Sequence, residues 1–298
     1  MQGEQFAWLR EVRATQPELV AARAAARKRR PLLGADGRLM IVAADHPARA
    51  ALGVRGQAAA MANRYDLLNR LLTALARPGV DGLLATADII EDLLLLGALD
   101  DKVVIGSMNR GGLAGASFEM DDRFTAYDVA TIAAMGLDGG KMLTRIDPDD
   151  PGSVATLEAA GQAVTRLSSR GLMALLEPFW SHRAEGRLVN DLSTPAVVRS
   201  VAVAAGLGAR SSHTWLKLPV VDGMAEVMAA TTLPTLLLGG DPDDPPSETQ
   251  ARWSAALALP GVRGFVVGRA LLYPPDGDVA AAVDAACALV HATVAAQP

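Results

Sequence analysis

A single cysteine, Cys287, stands in a chain of 298 residues, which rules out an internal disulfide and a thiolate metal cluster. Aromatic residues make up only 4%, so the interior must be filled by Ala, Leu and Val. No apolar run, including the one ending at Leu96-Gly97, approaches the ~20 residues that a membrane-spanning helix needs. Glu4, Arg10 and Glu11 fall where a secretory leader would carry its apolar segment. With a net charge of −5 the chain offers little to a nucleic-acid backbone. The four histidines, His46, His182, His213 and His291, share no metal-ligand spacing, so neither a metal nor any other cofactor is expected. Gly-x-Gly-x-x-Gly, Walker and Gly-x-Ser-x-Gly patterns are all missing. What is present is apolar: half of all residues, far too much for a disordered chain. A soluble, cytoplasmic α/β protein is expected.

Lysine is scarce too. Of 28 basic residues only Lys28, Lys102, Lys141 and Lys217 are lysines. Lys28 lies in a basic run and Lys102 precedes a strand, and both read as ordinary solvated positions. Lys141 and Lys217 sit inside apolar runs, an unusual place for a strongly hydrated ammonium.

Residues 4–30 read as helix with a break near Pro17, and 1–37 form a helical extension. Then a short apolar run, a loop and a helix repeat. Strands are expected at 38–44, 80–85, 102–107, 138–144, 171–177, 214–219, 234–239 and 262–268, each nearly continuously apolar as parallel strands buried on both faces are. Stretches 56–76, 126–135, 154–170, 194–205 and 248–258 have helical period. Eight β–α units predict one (β/α)8 barrel domain over 1–298, with a doubly wound open sheet as the structural alternative. The longest irregular piece is 178–193, read as a loop over the barrel mouth.

The C-terminal strand ends of such a barrel build its active site. Read in order they carry Asp45-His46, Lys141 within strand four, Glu177 and Lys217. Each alone could be a structural ion-pair member; four on separate strands at one face suggest amine catalysis. A lysine in apolar surroundings beside another cation has its neutral form favoured and can attack a carbonyl. A carboxylate then takes the proton of the departing hydroxyl. The last two strands end Gly239-Gly240-Asp241 and Gly268-Arg269, where backbone N–H groups and a guanidinium could hold a phosphate. Tight turns with a surface arginine are the plainer alternative.

This order resembles the class I aldolases of the DeoC/LacD superfamily, most of all tagatose-1,6-bisphosphate and archaeal-type fructose-bisphosphate aldolases, in an actinobacterial branch whose reaction is unassigned. Residues 43–46 (Ala-Ala-Asp-His), 215–219 (Trp-Leu-Lys-Leu-Pro) and 266–269 (Val-Val-Gly-Arg) carry the likeness. It implies that Lys217 forms the Schiff base and Glu177 transfers protons. Lys141 would support the reacting hydroxyl, and Asp45, with His46 beside it, would bind substrate. Gly239, Gly240, Gly268 and Arg269 would hold phosphate. A sugar phosphate is the implied partner and a homo-oligomer the expected assembly. Pro47 departs from the family, which often has Gly there, and the aromatic pair of the archaeal-type strand four is replaced by Lys141 and Leu143. Ser181, His182, Arg183 and Arg187 fit no family pattern. A transaldolase or acyl-transfer enzyme using the same lysine, and a non-catalytic sugar-phosphate-binding barrel, stay open as alternatives.

The remaining motifs read as structural. His213 opens a strand, Asp147, Asp149 and Asp150 form a solvated turn, as do residues 241–244, and Cys287 belongs to the core of the final helix.

Overall fold

The computed structural model describes residues 3–109, 112–240 and 246–292; the acidic turn at 241–244 lies outside them. Helices α1 (Gly3–Thr15) and α2 (Glu18–Ala26) open the chain, and Pro17, which has no N–H to leave unpaired, starts the second. There follow β1 (Leu39–Ala43), α3 (Arg64–Leu75), β2 (Gly82–Ala85), α4 (Ala87–Leu95), β3 (Val103–Ser107), α5 (Val129–Ala134), β4 (Gly139–Ile146) and α6 (Gly152–Ser168). The second half runs β5 (Met173–Ala184), β6 (Arg187–Asp191), α7 (Thr194–Ala205), β7 (Thr214–Leu218), α8 (Met224–Ala229), β8 (Thr235–Leu238), α9 (Pro246–Leu257), β9 (Val262–Val267), α10 (Arg269–Leu272) and α11 (Val279–Ala292).

Eight of these strands are parallel and close on themselves through the β4–β5 pairing, so the chain is a (β/α)8 barrel and not an open sheet. Inward-facing Leu39, Ile41, Leu84, Val103, Ile105, Met173, Leu175, Trp215, Leu236 and Val266 fill the interior, and Leu32 and Leu33 pack against this cluster from the extension. The barrel is therefore a packed core, not a pore. Its strands crowd most at Gly264, where a Cβ would lie 1.9 Å from the Leu39 carbonyl oxygen and φ is +133°. Only glycine fits there.

Three expectations fail. The stretch 178–193 is not a loop: β5 continues past the barrel to Ala184 and turns back as antiparallel β6. Its two turn residues, Glu185 and Gly186, have φ of +51° and +76°, the left-handed pair that matches the twist of a hairpin. The helix expected at 56–76 begins only at Arg64, where the Asn63 side chain accepts the Asp66 N–H; the backbone before it turns through positive φ at Ala50, Arg55 and Gly56. Lys102 is not simply solvated. It is half-buried and donates to the Val80 carbonyl at 2.6 Å.

At the barrel's N-terminal end α11 is pinned to the loop before β1. His291 Nδ1 donates to Asp36 at 2.5 Å and Nε2 to the Gly79 carbonyl at 2.9 Å, so both ring nitrogens act as donors in the imidazolium form. Burial alone would lower the His291 pKa, but Asp36 and the carbonyl outweigh it and the net shift is upward. A raised folded pKa stabilises below the unfolded value of about 6.5, and that stability is lost as pH climbs through the folded one. Thermal midpoints should thus decline above pH ~6.5 and decline less steeply in His291→Gln; identical slopes would remove the clip from the account.

Candidate active site

Asp45, Lys141, Glu177 and Lys217 converge at the C-terminal mouth. Period-two alternation puts Lys141 and Leu143 of β4, Leu175 and Glu177 of β5, and Trp215 and Lys217 of β7 on the barrel's inner side. Lys141 is the third residue of β4, not its end, because that strand runs on to Ile146. Its stem starts in register with Leu175, one layer beneath Glu177, and its ammonium reaches up to it.

The four groups are 1%, 1%, 7% and 4% exposed, so none is a solvent residue at a strand end. Lys217 Nζ donates to Glu177 Oε1 at 2.5 Å, and Lys141 Nζ pairs with Glu177 Oε2. Lys141 also lies 3.5 Å from Asp45 Oδ2, which accepts the Ser107 hydroxyl at 3.1 Å. Two ammoniums and two carboxylates thus balance, nearly buried, at the floor of the mouth. Burial by itself would raise the Glu177 pKa, but the two lysines hold it well below the usual carboxylate range.

His46 follows on a short 3-10 turn (His46–Arg49) with Pro47 in its first positions, which shapes the first loop where the aldolase pattern has Gly. Gly268 keeps room for this imidazole: a Cβ there would lie 2.5 Å from the Ala43 carbonyl oxygen and 2.8 Å from His46 Cε1. Desolvation first, then Arg269 and Lys217, push the His46 pKa well below its ordinary value. The ring is neutral at physiological pH.

Gly239, Gly240, Gly268 and Arg269 line the same cavity of about 180 Å³ as Asp45, His46, Glu177 and Lys217. Among the described residues Arg269 bonds weakly, through Nη1 to the Gly53 carbonyl at 3.5 Å. Beyond Gly239 and Gly240 the cavity adjoins a chamber walled by Phe179, Asn190, Trp253 and Arg252.

Arg49, Phe179 and Asn190 belong to the site but escape strand-end reasoning. So does Ser107, which ends β3, because its neutral hydroxyl stands out less than the charged strand ends. Asn190 and Phe179 come from the hairpin, and Ser181 ties its two strands by donating to Asn190 Oδ1 at 2.8 Å. Arg183 holds the hairpin to the rim through the Ser117 carbonyl at 2.9 Å and Asp150 at 3.3 Å. His213 lies at the far end of β7 beside Ser168 and Ser212, away from the site. Asp147, which is buried, and Asp150 accept backbone N–H groups of the turn before α6. No trio of His, Cys, Asp or Glu among the described residues could hold a metal. Cys287 is buried, its thiol pushed up to about 11 by desolvation. None of the described helices is long and apolar enough to cross a membrane.

Fold and site together define a (β/α)8 barrel with a lysine–carboxylate–lysine cluster buried at its functional end. The chain belongs to the Cgl0159-like family, which it matches over residues 37–287. The crystal structure of Cgl0159 from Corynebacterium glutamicum superposes with a TM-score of 0.96 at 58% identity, covering 98% of both chains. An archaeal fructose-1,6-bisphosphate aldolase with its catalytic lysine bound to a carbinolamine intermediate has a TM-score of 0.65 at 17% identity, covering 91% of this chain and 99% of that one. A Schiff-base-forming fructose-1,6-bisphosphate aldolase gives 0.65 at 18%, with 91% and 99% covered. At such identities the last two share the barrel fold with this chain. No curated protein matches it.

Proposed function

We propose that the protein is a class I aldolase that cleaves or forms a carbon–carbon bond in a phosphorylated ketose or keto-acid, with Lys217 as the Schiff-base amine. One observation carries the reading: Lys217 and Lys141 meet on the two oxygens of Glu177, nearly buried inside the mouth. Binding alone needs no such cluster. That a fructose-bisphosphate aldolase of the same fold holds its substrate on a lysine supports it.

Lys217 passes its proton to Glu177, to which it already donates, and the free amine adds to the substrate ketone to give a carbinolamine. Glu177 returns the proton to the carbinolamine hydroxyl, which leaves as water and gives the protonated imine. Glu177, anionic again, then removes the proton of the hydroxyl on the far carbon of the bond to be broken. The electron pair of that bond flows into the imine as an enamine while the hydroxyl carbon departs as an aldehyde. Protonation of the enamine carbon and hydrolysis return ketone and amine. Lys141 holds the departing oxygen, with Asp45 and Ser107 fixing its ammonium. Gly239, Gly240, Gly268 and Arg269 hold the phosphate, and neutral His46 donates to or accepts from a substrate hydroxyl.

Borohydride added with dihydroxyacetone phosphate, or with a panel of phosphorylated ketoses and keto-acids, should inactivate the enzyme and add the ligand's mass to the peptide bearing Lys217. Label confined to Lys141, or none with any carbonyl compound, would reject the reading.

A further inference from the structure

Resting on that reading, we propose that Arg49 recognises a carboxylate at the end of the substrate remote from the phosphate, so that the aldehyde half of the reaction is an aldehyde-acid. Arg49 closes the 3-10 turn behind Asp45 and lines the same cavity as Lys217 and Arg269. Its guanidinium is only 20% exposed, and its Nε is buried with no acceptor among the described residues. A buried guanidinium N–H without a partner is costly, and the accessible part of the same side chain lines the cavity, where a ligand oxygen can meet it.

The surroundings decide which anion suits. Arg49 shares Glu119 Oε1 (3.1 Å) with Arg145 (3.3 Å), and Arg145 grips Asp122 through Nε at 2.7 Å and Nη2 at 2.6 Å. Among the described residues two guanidiniums therefore face two carboxylates. A phosphate dianion here would bring two further negative charges beside Glu119 and Asp122. A carboxylate brings one charge and is held by the N–H groups of a single guanidinium. The opposite wall is built for phosphate, with Gly239, Gly240 and Gly268 presenting backbone beside Arg269, which no carboxylate pairs among the described ion pairs. One cavity is thus lined by a phosphate cradle, by a guanidinium suited to a carboxylate and by Lys217.

Glu119 is also anchored by the Gly115 N–H at 2.8 Å, and the Arg49 carbonyl accepts the Ala114 N–H. The rim loop therefore has ties that survive loss of the Arg49 side chain. The test is run in the synthetic direction with dihydroxyacetone phosphate as donor. Acceptors are glyoxylate against glycolaldehyde, succinic semialdehyde against butanal, and glyceraldehyde 3-phosphate. The wild-type enzyme should favour the aldehyde-acids by at least about tenfold in kcat/KM. Arg49→Gln should lose at least about tenfold on the acids and change less than about threefold on the uncharged aldehydes. Arg49→Lys, which keeps a charge beside Glu119, should retain part of the preference. Parallel losses on both acceptor types, or a wild-type preference for glyceraldehyde 3-phosphate, would overturn the assignment. Borohydride labelling separates the two layers: label on Lys217 in both wild type and Arg49→Gln leaves the aldolase reading standing whatever the acceptors show. No label in the wild type removes that reading, and the role of Arg49 with it.

Discussion

Lys217→Arg is expected to abolish turnover, by at least ~10³-fold in kcat, while the protein stays folded. The guanidinium keeps the positive charge that Glu177 needs at 2.5 Å, so the buried ion balance survives. What is lost is the ability to shed a proton and attack, because guanidinium stays protonated throughout the working range. Borohydride inactivation should vanish with the activity. A Lys217→Arg enzyme that still turns over would show that the covalent step lies elsewhere, and the mechanism would have to be rebuilt around Lys141 or discarded.

Glu177→Gln should destabilise the fold by about 3–5 kcal/mol, the range for removing one partner of a buried ion pair. Both ammoniums bond to this carboxylate; the amide would leave Lys217 facing Lys141 with Asp45, 3.5 Å from the latter, as the nearer remaining charge. Denaturant titration reads the loss directly. Adding Lys141→Met should recover part of it, since the second change removes the charge that the first left uncompensated. Full additivity of the two losses would mean that the cluster is not a unit. The same logic fixes the acid behaviour. Glu177 has a depressed folded pKa, so its stabilisation is complete above the ordinary carboxylate value near ~4.3 and fades as pH falls through the lower folded one.

The eight barrel strands were legible because parallel strands buried on both faces leave continuous apolar runs, interrupted only where chemistry requires charge. That is also why Lys141 and Lys217 stood out: a lysine-poor chain had placed two of its four in such runs. The hairpin was not legible. Beyond Pro178 the barrel pattern ends: Ser181 and Arg183 share one face of the hairpin with Leu188 and Asn190, His182 and Ala184 share the other with Arg187 and Val189, and neither face is consistently apolar. Its Glu185-Gly186 turn is a weaker sign than Asn-Gly. Lys102 was misread because its partner is a backbone carbonyl, which no side-chain pattern reports. Arg49 was missed for a related reason. It belongs to no strand, and its importance comes from Glu119 and Arg145, more than 60 residues away in the chain.

Because β5 is one uninterrupted strand from Met173 to Ala184, the carboxylate that pairs both lysines and the wall of the chamber beyond it are cut from the same piece of backbone. Divergence at this spot must respect parity. Inserting one residue between Glu177 and Ser181 would turn the hairpin over and send Ser181, with its partner Asn190, outward. A pair of residues added to each arm near Glu185 and Gly186 would leave every facing unchanged and merely raise the wall. Relatives whose chamber walls differ in height should therefore differ here in even steps, a rule of descent written into the pleat of a single strand.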